Sequence, residues 1–459
     1  MRVVGAGSGL DLFVGYNFVT ADRDQVFLLP PDMREWLAED HVVWCVLDAV
    51  AQLDLGPFRA AYRANGQGAA AFDPGLMVAL LLYAYSTGER SSRRIERRCV
   101  EDVACRVIAG GHRPDHATIA RFRARHEDAV KGLFVQVLRL LGQAGMVRLN
   151  RVSLDGTKIA ADASWSANRT QTQVEEMLAQ AAAVDAAEDA VHGPARGDEA
   201  PPGMARRQER LSRLRAARDR LAAEEQARRD AQDAKVAAWQ ARKAAGNPRP
   251  GRRPNPDPPV GSRNGAPLRA NTTDPDCRTM KAKHTLLPGY NAQAVVTDDQ
   301  VVIGALLTQA PIDHGLLHPV LDTCRTQLRQ AGIAPVLHTV LADAGYGSEA
   351  DFTRGETDRL RLLIPLAKDT YRVRGADPDK GRDLRHLPAT ARAQRRLRHW
   401  KGRADYARRA RTIEPVFGQI KTRQRLTRFS RRGLTACDSE WHLAATAHNL
   451  LKLHTHRTR

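Results

Sequence analysis

Aromatic residues make up only 5% of the 459-residue chain. No apolar run approaches the ~20 residues of a membrane-spanning helix; the longest, Leu76–Tyr85, is about half that length. The six cysteines, Cys45, Cys99, Cys105, Cys277, Cys324 and Cys437, contain no CxxC pair. That spacing excludes zinc-ribbon and thioredoxin-type motifs and predicts reduced, mostly buried thiols rather than disulfides. The N-terminal stretch MRVVGAGSGLDLFVGYNFV has neither a clean apolar core nor a cleavage site, so no export signal is expected. A cytoplasmic protein with no membrane association follows as the expectation.

Acid is the scarcest commodity relative to its counterpart. Asp and Glu number 52 against 71 Lys and Arg, a formal charge of +19, and the pI is near 10.2. Arginine dominates the cations, and its planar fork suits bidentate phosphate contacts. A GC-rich genome can account for Arg over Lys but not for base over acid, so a polyanionic partner is expected, nucleic acid ahead of acidic lipid. The imbalance peaks at Arg392–Arg432, where fifteen basic residues face two acids, Asp405 and Glu414.

Residues 26–148 read as a helical domain. LPPDMREWLAEDHVVWCVLDAV opens on Pro-Pro-Asp, and DPGLMVALLLYAYSTG opens on Asp-Pro and stops at Gly88. A single helix is predicted over Ser91–Ala109, then a Gly110–Gly111 stop and a second helix from Asp115. This is a possible helix-turn-helix spanning 91–128, with Thr118, Arg121 and Arg125 on its leading face; an ordinary helical hairpin fits equally. His112, His116 and His126 surround the turn, where phosphate contact or solvation suits them better than a metal.

RVSLDGTKIA (Arg151–Ala160) predicts a strand. The segment 165–270 then turns to Ala, Arg, Glu and Gln, and reads as a long solvated helical insertion. Met204, Leu211, Leu214 and Leu221 give it a partial heptad. Seven prolines between Asn247 and Arg269 mark a linker. Strand patterns resume on either side of Asp298–Asp299. An amphipathic helix (Asp313–Gly332), an apolar strand within Pro335–Ser348 and another within Arg359–Ala367 complete a mixed α/β sheet.

Three carboxylates stand out. Asp155 lies in the first strand, and Asp343 ends a later one, where open α/β sheets bind ligands. Either could instead be a turn or cap residue. Glu414 precedes Pro415, which predicts a position at a helix start or bend. It could equally serve Arg409 or Arg411 as an ion-pair partner. Taken together, three acids on separate elements inside a basic surround suit metal-assisted phosphodiester chemistry. There, hard ions about 3.5–4 Å apart offset charge on attacking and leaving oxygens.

The segments SLDGTKIAADAS, PGYNAQAVV, LADAGYGS and RTIEPVFGQIKTRQRLTRFSRRGL…HNLLKL resemble the DDE transposases of bacterial insertion sequences. LLPPDMREWL, YAYSTGERSSRRIERRCVEDVACRVIAGG and RPDHATIARFR are similar to the N-terminal domain of the branch with a long insertion. The resemblance implies an α/β, ribonuclease H-like catalytic domain over 149–164 and 284–455. It adds an all-helical N-terminal DNA-binding domain, a helical or disordered insertion, and an unstructured extension over 1–25. It implies Asp155, Asp343 and Glu414 as catalytic and metal-binding residues, with Mg²⁺ as cofactor and Mn²⁺ able to substitute. Tyr406, Arg409, Arg411, Lys421, Arg423 and Arg425, with Arg121 and Arg125, would meet DNA; either Arg409 or Arg411 takes the position before the Glu. The implied reaction is cleavage at the element's terminal repeats and strand transfer into target DNA, by a homodimer associated with the nucleoid. A catalytically inactive repressor and a ribonuclease H-like host nuclease are the alternatives.

Overall fold

In the computed structural model, residues 33–62, 70–192, 202–245, 253–255, 267–282, 285–366 and 386–458 are described. Met1–Ala38 is a separate unit, whose described part is one 3₁₀ turn, Met33–Trp36. The expected extension over 1–25 lies outside the described residues, as does most of the proline-rich linker. The second unit is Glu39–Arg459.

Local chemistry sets the helix ends in the N-terminal part. α1 (Val42–Ala51) starts where His41 Nδ1 accepts from the Val43 amide at 3.2 Å. After the short α2 (Gly56–Arg59) comes α3 (Pro74–Ser86), capped by Asp73, which accepts from Gly75 and Leu76. Every residue from Met77 to Ser86 is buried, as a helix apolar all round its girth requires. The helix predicted over Ser91–Ala109 is in fact two, α4 (Ser92–Glu101) and α5 (Val103–Ala109). Asp102 causes the break: its backbone is extended and its side chain accepts from the Cys105 amide, the competition by which Asp leaves helix interiors for caps. Gly110 and Gly111 turn the chain at positive φ, and Asp115 caps α6 (His116–Arg125). α7 (Glu127–Gln143) completes this part.

β1 (Arg151–Ala160) leads into β2 (Asn168–Arg169), then α8 (Gln171–His192) and α9 (Pro202–Ala244). The base of this helical pair is packed rather than solvated. Val174, Leu214, Ala217 and Leu221 form a small core with Ala270 of β3 (Ala270–Asn271). Arg220 donates to the carbonyls of Pro275 and Cys277, each at 3.1 Å, which ties α9 to the following loop.

β4 (Arg278–Ala282), β5 (Thr285–Thr297) and β6 (Val302–Thr308) follow, then α10 (Leu317–Gln330), β7 (Thr339–Leu341), α11 (Glu349–Thr357) and β8 (Arg361–Leu363). β7 is far shorter than the apolar run Pro335–Ser348. The mixed sheet runs β4–β5–β1–β7–β8, with β6 also on β5. β5 is antiparallel to β1, β6 and β4, whereas β7 and β8 run parallel to β1. The basic segment forms α12 (Ala389–Arg398), α13 (Trp400–Tyr406) and α14 (Arg409–Thr422).

α15 (Leu434–Arg457) is the common core element. All residues from Ala436 to Leu450 are buried, and the helix packs on β6 and α14 as well as on α1, α3 and α7. The helical part and the sheet therefore share one hydrophobic interior.

Candidate active site

β1 is the central strand, and register decides what its polar residues meet. Gly156 stands opposite Gln293 and Lys158 opposite Asn291 on β5. Asn291 and Gln293 are completely buried in an otherwise apolar strand. Such groups need partners, and Asp313, in the loop before α10, supplies one. Its Oδ1 accepts from Asn291 at 2.7 Å, Gln293 at 3.0 Å and the Lys158 ammonium at 3.1 Å. Gln293 Oε1 in turn accepts from the Tyr346 hydroxyl. Gly156 is sterically required here: a Cβ would lie 2.1 Å from Gln293 Nε2 and 2.9 Å from Asp313 Oδ1.

Asp155 sits beside this network. One oxygen accepts from the Gly156 amide at 2.8 Å, and the other meets the Arg409 guanidinium at 2.5 Å. Burial pushes its carboxyl up, Arg409 pulls it down and Asp343 raises it again; the balance leaves it at about 6, well above an ordinary Asp. Asp343 follows β7, the parallel neighbour of β1, and Oδ1 caps the turn Ala344–Tyr346 by accepting from Gly345 at 2.9 Å. Burial, Asp313, Asp155 and Asp343 all raise the Tyr346 phenol, which holds it protonated as a donor.

For Glu414, expected at a helix start or a bend, the start is excluded. Glu414 is the sixth residue of α14, and it is exposed. Pro415 is tolerated inside the helix for an identifiable reason. Proline has no N–H for the Arg411 carbonyl four residues back, and Gln300 Nε2 donates to that carbonyl instead at 3.1 Å. Gln300 is itself held by Lys452 on its side chain and His448 on its carbonyl.

Arg409 is paired with Asp155 and feels the charge of Asp343 and Glu414. Burial lowers its pKa, but Asp155, Tyr406, Asp343 and Glu414 outweigh this and raise it. Its Nε is buried and has no hydrogen-bond partner among the described residues. Of the two candidate arginines before Glu414, Arg409 is therefore the one at Asp155, whereas the Arg411 side chain is exposed.

The other sequence candidates scatter. Lys421 donates to the Lys158 carbonyl at 3.3 Å, over β1. Tyr406 is buried with Leu341, Leu363 and Leu397, so its ring packs under the sheet. Arg423 is exposed and acts on His448 and His454 of α15, and Arg425 is exposed at positive φ. Arg121 donates to Thr118, and Arg125 lies 4.8 Å over the Tyr62 ring. The second acid of the basic segment, Asp405, is a structural tie between Arg151 and Arg361. Among the described residues, no three His, Cys, Asp or Glu gather closely enough to hold a metal ion. Even so, the donors at Asp155 and Asp343 are all carboxylate oxygen, the type hard divalent ions take, and their mutual repulsion is what such an ion relieves.

Sequence reading missed Lys158, Asn291, Gln293, Asp313 and Tyr346. The available signal was two polar residues two apart, Asn291 and Gln293, on one face of an apolar strand.

Two family models match the chain. One for a transposase domain (DUF772) covers residues 31–125, and one for a transposase DDE domain covers residues 379–454. The second includes Arg409, Glu414 and Lys421; Asp155 and Asp343 lie outside both. No curated protein and no solved structure matches the chain.

Proposed function

Because the chain belongs to the DDE transposases of insertion sequences, we propose that Asp155, Asp343 and Glu414 are its catalytic triad and that it cuts DNA at the element's ends and joins them to target DNA. The observation that carries this is Arg409. Its guanidinium bonds Asp155 on β1 and lies in the field of Asp343 at the end of β7 and of Glu414 on α14.

The strand order around β1, with an antiparallel β5–β6 meander on one side and parallel β7 and β8 on the other, supports a ribonuclease H-like catalytic domain. The acids then sit at the central strand and the carboxyl end of its parallel neighbour. Asp155 and Asp343, with Glu414 on the facing helix, would hold Mg²⁺ or Mn²⁺, which supplies Lewis-acid stabilisation of charge at phosphoryl oxygens. Arg409 keeps Asp155 paired. Lys421, already over β1, adds a cation to the strand path. The Asp313 network holds Gly156 and thereby fixes the backbone on which Asp155 turns.

In cleavage, water attacks phosphorus and the 3′-oxygen of the element's end leaves; in joining, that 3′-hydroxyl attacks a target phosphodiester and displaces a second 3′-oxygen. Each step exchanges one P–O bond for another. Asp155→Asn, Asp343→Asn and Glu414→Gln test the assignment in a strand-cleavage assay beside duplex binding. Each variant should bind the element's end as wild type does and cut it at least 100-fold more slowly (about 3 kcal/mol). Wild-type cutting by any one removes that residue from the triad.

A further inference from the structure

A groove runs between the N-terminal ends of α4 and α6 on one side and Ser430–Arg432 with Asp162 on the other. Its walls come from opposite ends of the sequence, and a buried cluster fixes them together. Glu440, only 2% exposed, pairs with Arg90 at 2.9 Å and accepts from Tyr85 and from the Ser430 amide and hydroxyl. Arg90 also donates to the carbonyls of Arg425 and Arg428, each at 2.8 Å, and Arg123 donates to Tyr85 at 2.7 Å and Ser430 at 2.9 Å. The same loop is bonded to the end of β1, since Phe429 donates to the Ala160 carbonyl and Ala160 to that of Thr427. One groove wall is thus joined by backbone hydrogen bonds to the strand that carries Asp155.

The lining carries more arginine than acid. Arg90, Arg93, Arg123, Arg431 and Arg432 face it, and Asp162, 3.0 Å from Arg432, is the acid among them. Arg90 and Arg123 are spent on Glu440, and Arg431 on Glu127. Arg93 is exposed, and no acid among the described residues pairs with it. At the same wall, α4 begins with no side-chain cap and no acid in its first turn.

We propose that this groove receives the sugar–phosphate backbone of duplex DNA, with phosphates at Arg93 and Arg432. An open cationic channel built on two distant chain segments suits a polyanion that passes from the helical part toward β1 better than a compact ligand. The proposal rests on the transposase reading and adds where the DNA lies: across the α4 and α6 starts, rather than along the Arg121–Arg125 face of α6.

The test is fluorescence anisotropy of the full chain with duplex from the DNA flanking its gene, over a series of salt concentrations. Arg93→Ala, Arg432→Ala and Arg121→Ala are compared with wild type, after circular dichroism has confirmed their fold. Each groove variant should bind about tenfold more weakly, and the slope of log affinity against log salt should fall by about 1; Arg121→Ala should change neither. Wild-type affinity and slope in both groove variants, with wild-type cleavage intact, would overturn the groove alone. A wild-type chain that binds no duplex would overturn the groove and the transposase reading together.

Discussion

At the scale of single residues, the site is built on close approach. Gly156 has no room for a side chain, so Gly156→Ala must push Gln293 and Asp313 aside. We expect a loss of about 1–3 kcal/mol in urea unfolding, together with slower cleavage; an unchanged midpoint would mean the network yields without cost. His448 gives a pH test away from the carboxylates. Burial depresses its pKa from 6.5 to about 4, and it hydrogen-bonds the Gln300 carbonyl in the folded state. The unfolded chain then binds the proton more readily, so stability is present above pH 6.5 and falls as pH drops toward 4. Between pH 7 and 5 this amounts to about 2 kcal/mol. His448→Gln should remove that acid sensitivity from the unfolding midpoint. Three candidates were legible as types: Asp155 as an acid within a strand, Asp343 as one at a strand's end and Glu414 as one in a basic run. Asp313 was not, because its role depends on β1–β5 register, which no local pattern specifies.

At the scale of elements, period and punctuation served well where one element decides its own ends. β1 spans the Arg151–Ala160 predicted, and Asp73, Asp115, Gly88 and Gly110 mark helix ends as turn chemistry requires. They failed where a side chain or a distant residue intervenes. Asp102 splits one expected helix into α4 and α5 by capping the second. Pro415 suggested a helix start or a bend at Glu414; the start is excluded, because Gln300, more than a hundred residues earlier, satisfies the carbonyl that proline abandons. Gln300→Ala should therefore lower stability by about 1–2 kcal/mol. Restoring an amide in Pro415→Ala should recover part of that loss in the double variant, because Arg411 regains an intrahelical donor. Simple additivity of the two changes would show that the carbonyl has no need of Gln300.

At the scale of the whole molecule, composition foretold the charge and the helical-then-mixed order, but not that α15 is shared. It packs on the sheet and on α1, α3 and α7 alike, and the Glu440 cluster crosses the same boundary. A chain truncated after residue 148 should therefore fail to fold, with no cooperative thermal transition, since α3 and α7 lose their partner. Glu440→Gln leaves Arg90 and Arg123 without their buried counter-charge and should cost about 3–5 kcal/mol, in one transition that takes the helical part and the sheet together. A stable fragment 39–148 would show that the two parts are separable after all.

The role proposed for Glu414, exposed on α14, is to work with Asp155 and Asp343 in cutting DNA. The most direct measurement is strand cleavage of a plasmid carrying the DNA that flanks this gene, by wild type and Glu414→Gln, with Mg²⁺, with Mn²⁺ and with EDTA, beside a plasmid without the flanks. Cuts confined to the flanks, dependent on the divalent ion and lost in Glu414→Gln, are the predicted result. Equal cleavage by both proteins would contradict it and leave Glu414 as a surface acid near Arg409.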